Sequence, residues 1–585
     1  MTARILVTTA DERTWRNDVP ILFLGEWCRR LDREAVWSGL DHLVARPVLA
    51  DATARARALD RIQTVVLQLQ VELADRLNSI HSTRHSRRFW RILTGQWVHR
   101  YVNVIYHRWH AVAQATQEWD ISGTAILDTP RFDLSVPDSD SFIWATNDAR
   151  WNNLLFGAAW TRITGRPADS LHVEQRAVEQ GRAFAQQQRQ LPAFDSWLDR
   201  AASLLQRDTD ALIIGSYLPP LAASALCLRL GQIPRRRKSP VMQAAPADPA
   251  LRDRFRLESD AEGFDGFVRA MLIELLPTCF LEGFELLSRQ ATEVDWPRNP
   301  RFIFTSVNFD TDDIFKRWAA GRAEKGIPYI TGQHGNNYGT LRYIPSEWEC
   351  VATSDAFITW GWRDRDPRCL PAFIFRTVGR NARGHSAAGG LLLVELCLPS
   401  LVWAWDPYPE FQGYQEDQFA FVAALPDAIR SATTVRLHAE NRKQPWFEPV
   451  RWQRRQPDVL VDDGTDAVAG LIARSRLIVH SYDSTGILET LARNIPTICF
   501  WSGGLSHLRA SAVPDYQLLM DAGILFETPQ AAARQVAVVW EAVESWWDST
   551  RVQAARVAFC NRYARTSPRP IAELAAILKS VSANQ

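Results

Sequence analysis

The stretch HSYDSTGILETLARNIPTICFW, residues 480–501, has the pattern of a polar turn, a helix and a strand. The apolar residues 477–479 before it predict a buried strand, and the apolar run 496–500 predicts the next one. Two strands joined by a helix form a βαβ unit of an open parallel sheet. Ligands of such sheets bind at the carboxyl ends of the strands. We therefore expect a ligand at the turn of residues 481–484.

The helix of this unit is predicted to begin near Thr485. Free N–H groups at a helix N-terminus, together with the helix dipole, favour a phosphate. Ser484, Thr485 and Gly486 are therefore candidate phosphate ligands, and Glu489 is a candidate partner of a ribose hydroxyl. The alternative is that Asp483 or Ser484 only caps the helix, while Glu489 is solvated.

Composition limits the function classes. The 585 residues imply two or three domains, and 67 basic against 66 acidic residues give no general case for nucleic-acid binding. The eight cysteines show no CxxC pair and no metal-ligand spacing, which suits reduced thiols of a cytoplasmic protein. We expect no signal peptide, and no apolar stretch reaches the roughly 18 residues of a membrane span.

A second βαβ pattern precedes GQHGNNYG, residues 332–339. Residues 301–307 and 327–331 predict strands, and residues 314–325 predict the helix between them. Two glycines flank His334, so its imidazole stands unencumbered at a strand end. Because histidine titrates near neutrality, His334 is a candidate general base or phosphate contact. The alternative is a hydrogen-bonded structural histidine in a turn.

Strands and helices alternate in both halves of the chain, which predicts an α/β fold with two doubly wound domains facing a cleft. We expect an N-terminal domain, residues 1–385, enlarged by a helical insertion at about residues 50–290. The second domain would be residues 386–585, closed by helices. The glycine-rich stretch at residues 379–390 marks the junction.

Two basic stretches have competing interpretations. Residues 84–110 mix arginines with aromatic residues, which is typical of a surface resting on anionic lipid or of a core helix with solvated ends. Residues 234–238 form a compact basic loop for an anionic acceptor or substrate phosphate, or a solvated loop.

Three separated stretches carry a family resemblance. Residues 480–501 resemble the donor-binding βαβ unit of GT-B glycosyltransferases. The matching positions are Asp483, Thr485, Glu489 and Pro496. Together with TTADERTWRNDVPILFLGEWC, residues 8–28, and with residues 332–339, the chain resembles transferases of bacterial surface-carbohydrate loci, which accompany O-antigen and nonulosonate genes. A looser similarity links it to capsule-type Kdo transferases and CDP-glycerol glycerophosphotransferases.

The resemblance implies a GT-B-like fold and a metal-independent glycosyltransferase without a further cofactor. The donor would be nucleotide-activated, CMP-linked, and the acceptor a surface glycan, lipid-linked or on protein, with peripheral contact to the inner membrane. His334 would accept the proton of the acceptor hydroxyl. The expected donor-binding residues are Arg436, His438, Ser481, Asp483, Ser484, Thr485, Gly486 and Glu489. The expected acceptor or cleft residues are Gln333, Asn336 and Asn337.

Three other functions remain open on the sequence: a phosphotransferase acting on a CDP-polyol, a sugar-nucleotide epimerase and a non-catalytic scaffold of a glycan assembly complex. Two features depart from the GT-B pattern. Residues 492–494 replace a small, glycine-containing helix tail, and the N-terminal half is longer than a minimal domain. The triplet Asp310-Thr311-Asp312 formally matches a metal-binding DxD motif, but we interpret it as a helix cap.

Overall fold

The computed structural model describes residues 3–16, 18–172, 206–235, 237–257, 261–380, 384–406 and 408–583. Within these residues the strands form three sheets, and every pair of neighbouring strands runs parallel. The three sheets follow one another along the chain, and we call them the first, second and last sheet.

The first sheet has five strands. Its strands are β1 (Arg4–Val7), β2 (Ile21–Phe23), β3 (His42–Val44), β4 (Ile121–Leu127) and β5 (Asp169–Leu171). Their order across the sheet is β3-β2-β1-β4-β5. The order reverses between β1 and β4, and in open α/β sheets this reversal marks the place where ligands bind.

The second sheet keeps the order of the chain. Its strands are β6 (Leu212–Ile213), β7 (Ile303–Thr305), β8 (Tyr329–Gly332), β9 (Ala356–Thr359) and β10 (Cys369–Pro371). Each strand pairs with the next one along the chain, so β6 and β10 lie at the two edges. The order places the loop after β8 at the centre of the carboxyl edge.

The last sheet has six strands. They are β11 (Gly390–Val394), β12 (Thr433–Arg436), β13 (Leu460–Asp462), β14 (Ser475–His480), β15 (Thr497–Phe500) and β16 (Leu525–Phe526). Their order is β13-β12-β11-β14-β15-β16, with the reversal between β11 and β14. The apolar runs of β11 and β14 are buried, as expected for strands covered by helices on both faces.

Helices cover the sheets. In the N-terminal region they are α1 (Glu34–Trp37), α2 (Ala52–His81), α3 (Arg87–Glu118), α4 (Ser139–Ala145), α5 (Ala149–Thr164), α6 (Pro220–Arg229), α7 (Pro249–Phe255), α8 (Gly263–Leu275) and α9 (Phe284–Glu293). Around the second and last sheets they are α10 (Asp313–Ala323), α11 (Pro345–Thr353), α12 (Phe411–Ala423), α13 (Asp427–Ser431), α14 (Glu448–Arg455), α15 (Val468–Ala473), α16 (Thr485–Ala492), α17 (Val513–Asp521), α18 (Pro529–Val539), α19 (Val543–Trp547), α20 (Thr550–Tyr563) and α21 (Pro570–Ala583).

Helix α3 lies in the core, so the interpretation of residues 84–110 as a lipid-facing surface is wrong. Trp90, Trp97 and Tyr101 are at most 1% exposed, because α3 packs between α2 and the helices next to the second sheet. Among the described residues, no helix combines the length and apolar character that crossing a membrane requires. The aromatic residues of α3 therefore serve packing.

The basic loop of residues 234–238 is tied to the protein at two of its arginines. Arg235 binds Asp295 at 2.6 Å, and Arg237 donates to the carbonyl of Ala211 at 3.1 Å. Arg236 lies outside the described residues. Two of the cations of the loop are therefore already engaged by the chain itself.

The predicted α/β class with parallel sheets is confirmed, and the first and last sheets are doubly wound, whereas the strands of the second sheet follow the order of the chain. The enlarged N-terminal region holds the long helices α2 and α3, and it also contains the first sheet, which the sequence did not separate from the second. The strands β2 and β3 have three residues each and carry little periodicity. Part of the helical insertion expected at about residues 50–290 falls outside the described residues. The domain junction stays a prediction, because residues 381–383 also lie outside them.

Hydrophobic packing joins the second and last sheets into one body. A single core cluster contains Phe304 and Ile358 of the second sheet together with Leu488 of α16, Tyr516 of α17 and Leu574 of α21. The closing helices therefore pack back on the N-terminal half, as the sequence suggested. This shared core fixes the carboxyl ends of β8 and β14 relative to each other.

Candidate functional site

The loop after β8 touches the turn after β14. The backbone N–H of Asn336 donates to Thr485 Oγ1 at 3.0 Å, and Asn336 Nδ2 donates to Asp483 Oδ1 at 2.5 Å. Asn336 was predicted on the acceptor side, and Asp483 and Thr485 on the donor side. The structure brings these residues into direct contact, and we call this contact the β8–β14 junction.

Asp483 is the centre of the β8–β14 junction. Besides Asn336, it accepts a hydrogen bond from the Tyr516 hydroxyl at 2.9 Å and lies 3.3 Å from His507 Nε2. Both carboxylate oxygens therefore have partners from the chain. This arrangement makes Asp483 a tie between the sheets, and its oxygens do not face an open space.

His334 lies half-buried beside the junction. Its Nδ1 is 2.9 Å from the Tyr338 hydroxyl, and its ring packs edge-on to Tyr217. Burial lowers the pKa of His334, although the carboxylate of Asp310 acts in the opposite direction. The imidazole is therefore neutral at neutral pH and able to accept a proton.

The ion pair of Arg100 and Asp310 lies close to His334. Arg100 binds Asp310 at 2.6 Å. Burial alone would raise the pKa of Asp310, but Arg100 and His334 outweigh it and hold the pKa below its ordinary value. The carboxylate thus stays charged, and its charge favours the protonated form of His334 once a proton arrives.

The side chain of Gln333 stabilises the loop after β8 through hydrogen bonds. Its side-chain oxygen accepts hydrogen bonds from the backbone of Trp360 and the indole of Trp362, both at 2.9 Å, and its amide donates to the carbonyl of Gly335 at 2.8 Å. Asn337 adopts a left-handed backbone conformation with φ 77° and turns the chain. Both residues were predicted to face the cleft, and the structure uses them to form the loop.

Side chains of the protein itself occupy the space around the N-terminus of α16. Ser484 accepts a hydrogen bond from the N–H of Ile487 at 3.3 Å. It therefore caps the helix, which is the alternative to phosphate binding that the sequence left open. Ser481 is fully buried and bonds to the Tyr414 hydroxyl at 2.9 Å. At Gly486 a Cβ would stand 2.6 Å from the ring of His480, so this glycine serves close packing.

Glu489 is engaged by two arginines. One oxygen binds Arg376 at 3.1 Å and the other binds Arg380 at 3.0 Å. The Arg376 guanidinium in turn lies 5.1 Å from the centre of the Tyr217 ring. Sequence reasoning missed these arginines, since more than a hundred residues separate them from Glu489.

Arg436 and His438 lie at the end of β12, away from the β8–β14 junction. Arg436 forms an ion pair with Asp462 of β13. His438 is exposed and accepts from the N–H of Glu440 at 3.2 Å, and partial burial of its ring lowers its pKa. The predicted donor-binding residues are therefore divided between two places on the carboxyl edge of the last sheet.

A cavity of about 660 Å³ opens next to the β12 end, between the first and last sheets. From the side of the first sheet it is lined by residues 9–10, 27, 30 and 147–149, and from the side of the last sheet by residues 400–401, 437, 441–445, 447–450 and 463. We call it the interdomain cavity. The stretch of residues 8–28 that carried the family resemblance supplies part of its wall.

Direct contacts between the two sides frame the interdomain cavity. The N–H of Ser400 donates to Asn147 Oδ1 at 3.0 Å, and the N–H of Glu26 donates to the carboxylate of Glu410 at 3.2 Å. The cavity is therefore a built space between joined parts of the chain. Sequence reasoning gave no hint of residues 441–450, because this irregular segment has neither periodicity nor a motif.

The acidic triplet of residues 310–312 belongs to the protein framework. Asp312 accepts from the N–H of Phe315 at 3.0 Å and caps α10, as we interpreted it, while Asp310 is held by Arg100. Within the part of the chain that the structure describes, no group of three histidine, cysteine, aspartate or glutamate residues could hold a metal ion.

The three parallel sheets define an α/β protein, and the first and last sheets reverse their strand order as doubly wound sheets do. The profile of the LIC12162 family transferases matches residues 4–578, and the chain belongs to that family. It is therefore a transferase. No curated relative matches the chain.

Solved structures of transferases are similar to parts of the chain. The spinosyn rhamnosyltransferase SpnG has 10% identity, with 52% of this chain and 80% of that chain covered and a TM-score of 0.28. SsfS6, a glycosyltransferase of Streptomyces sp. SF2575, has 13% identity, with 63% and 99% covered and a TM-score of 0.29. The wall teichoic acid polymerase TagF has 8% identity, with 52% and 84% covered and a TM-score of 0.28.

Proposed function

We propose that this transferase moves a sugar from a CMP-linked donor to a bacterial surface glycan, without a metal ion. Membership of a transferase family supports group transfer. The observation that carries the proposal is the position of His334, a half-buried base with a lowered pKa beside the β8–β14 junction. The acceptor would be lipid-linked and reached from the cytoplasmic face of the inner membrane.

In this proposal His334 activates the acceptor hydroxyl. With Nδ1–H donating to Tyr338, the lone pair of the ring lies on Nε2 and takes the hydroxyl proton. The acceptor oxygen then bonds to the anomeric carbon, whose bond to the phosphate oxygen breaks, and CMP leaves with that electron pair. Asp310 stabilises the imidazolium that forms, because Arg100 keeps its carboxylate charged.

The residues after β14 hold the donor side of the junction in this scheme. Asp483 and Glu489 act through position, since both carboxylates are engaged by the chain.

Incubation of the purified chain with a CMP-linked sugar and a glycan acceptor tests the proposal. We expect the acceptor to gain the mass of the sugar while free CMP appears, as read by mass spectrometry of the intact product. Gain of a polyol phosphate from a CDP donor would assign the chain to phosphotransfer instead. A product that forms without acceptor would assign it to epimerisation, and both results would contradict the proposal.

A further inference from the structure

The interdomain cavity lies where two doubly wound sheets reverse their order. Thr9 follows β1 of the first sheet, and Leu437 follows β12 of the last sheet, next to the reversal between β11 and β14. Ligands of open α/β sheets bind at such carboxyl edges. The volume of about 660 Å³ also suits a ligand of nucleotide size, since binding pockets span about 300–1,000 Å³.

Two buried side chains on the cavity wall each keep one oxygen without a hydrogen bond in the described structure. Glu448 is 2% exposed and Asn441 is 8% exposed, and both line the cavity. Asn441 Nδ2 donates to Glu448 Oε2, which leaves Glu448 Oε1 and Asn441 Oδ1 without a hydrogen bond. Buried polar atoms are normally paired, so these two oxygens await hydrogen-bonding partners from a ligand. Neighbouring hydroxyls of a ribose both donate and accept, so they can pair with the carboxyl of Glu448 and with the amide oxygen of Asn441.

Cations stand at the rim of the same cavity. Arg442 is bound to Asp463 at 3.1 Å, and Lys443 to Glu440 at 2.7 Å. All four of these side chains are at least 40% exposed. Exposed pairs of this kind contribute little free energy, so both cations can turn to a phosphate, which binds arginine more strongly than a solvated carboxylate does.

Aromatic side chains line the remaining wall. Trp27 comes from the side of the first sheet, and Phe447 stands directly before α14. Phe447 has φ 54°, a left-handed conformation that is costly for a bulky residue and is often kept at functional sites. Such aromatic surfaces suit the flat face of a base.

We propose that the interdomain cavity binds the nucleoside phosphate part of the donor. The ribose hydroxyls form hydrogen bonds with Glu448 and Asn441, the phosphate lies against Arg442 and Lys443, and the base packs on the aromatic wall. This inference rests on the proposed function, which requires a nucleotide-activated donor. The ribose would then contact Glu448 and not Glu489, because both carboxylate oxygens of Glu489 form ion pairs with arginines.

Isothermal titration calorimetry of the full chain with CMP, cytidine and inorganic phosphate tests the site. The double variant Arg442→Glu/Lys443→Glu should weaken CMP binding by about tenfold or more and leave cytidine unaffected. Glu448→Ala should weaken CMP and cytidine alike, because it removes the carboxyl that pairs with the ribose hydroxyls of both ligands. Arg455→Glu is the matched control, since this exposed arginine of α14 binds Glu416 and does not line the cavity.

A photoreactive azido-CMP locates the site independently of variant folding. We expect labelled peptides from residues 437–450. Label on residues 481–490 instead, or unchanged CMP affinity in both cavity variants, would overturn the site. Sugar transfer together with unchanged affinities would leave the proposed function standing and reject the cavity. CMP bound in the cavity without transfer to any acceptor would leave the site standing and reject the proposed function.

Discussion

The β8–β14 junction and the interdomain cavity lie on the same carboxyl edge of the last sheet, but they differ in how their polar groups are satisfied. In the junction, Asp483 has partners on both oxygens, and Ser484 caps its own helix. In the cavity, Glu448 and Asn441 each keep a buried oxygen without a hydrogen bond. The junction satisfies its own polar groups, whereas the wall of the cavity keeps two buried oxygens without a hydrogen bond.

This difference separates two tasks. The shared core of the second and last sheets holds the junction rigidly, which suits the placement of a base such as His334. The cavity lies between the first and last sheets, where polar contacts such as that of Ser400 with Asn147 join the walls. A motif that resembles a donor site can thus be the framework beside the site.

Removal of the base should have the largest effect. His334→Ala should lower turnover by about 10²–10⁴-fold, the range that general bases contribute, while CMP affinity measured by calorimetry stays the same. Tyr338→Phe is the matched variant, since it keeps the ring next to His334 and removes only the hydroxyl at Nδ1. We expect it to lower turnover less.

Steady-state turnover against pH sharpens this prediction. Because burial lowers the pKa of His334, the acid limb of the profile should lie below pH 6.5 in the wild type and vanish in His334→Ala. Turnover of His334→Ala close to the wild-type rate would contradict the assignment of this residue as the base.

Loss of Asp483 should loosen the junction. Asp483→Ala leaves Tyr516 and Asn336 without their acceptor, and stranded buried donors cost about 1–3 kcal/mol each. We expect the free energy of unfolding in urea to fall by roughly 3 kcal/mol. Asp463→Ala is the control, because this carboxylate is 48% exposed and its loss should change stability by less than about 1 kcal/mol. Equal losses in both variants would argue against Asp483 as a tie.

The sequence predicted those parts of the architecture that depend on residues close together in the chain. Strong apolar runs gave β8, β11 and β14, and the glycines around His334 placed the loop correctly. The role of Glu489 could not be predicted, because Arg376 and Arg380 reach it only through the fold. The cavity was missed for the same reason. Its walls come from distant segments, and an unpartnered oxygen has no signature in the sequence.

The buried carboxyls of the cavity should make stability depend on pH. Burial raises the pKa of Glu448 above its ordinary value of 4.5, and burial next to Glu448 raises that of Glu395. Between pH 4.5 and about 8 Glu448 therefore holds more protons in the folded chain than in the unfolded chain, and its contribution to stability falls as the pH rises.

Urea unfolding at several pH values measures this decline. One such group lowers the free energy of unfolding by at most about 1.4 kcal/mol per pH unit. Glu448→Gln should flatten the decline, because the amide cannot lose a proton, while Glu395 retains its part. A slope that is identical in wild type and Glu448→Gln would show that Glu448 is not protonated in the folded chain.

The smallest effect is expected at Glu489, and it bears most directly on the comparison of the two regions. Glu489→Gln removes the charge that pairs with Arg376 and Arg380, two arginines that are 41% and 37% exposed. Partly exposed pairs contribute about 0–1 kcal/mol, so the free energy of unfolding should change by less than that. If the cavity holds the ribose, affinity for cytidine in calorimetry should fall in Glu448→Ala and change by less than about twofold in Glu489→Gln, as expected for a group outside the contact. The opposite ranking would return the ribose to α16 and make the junction the donor site.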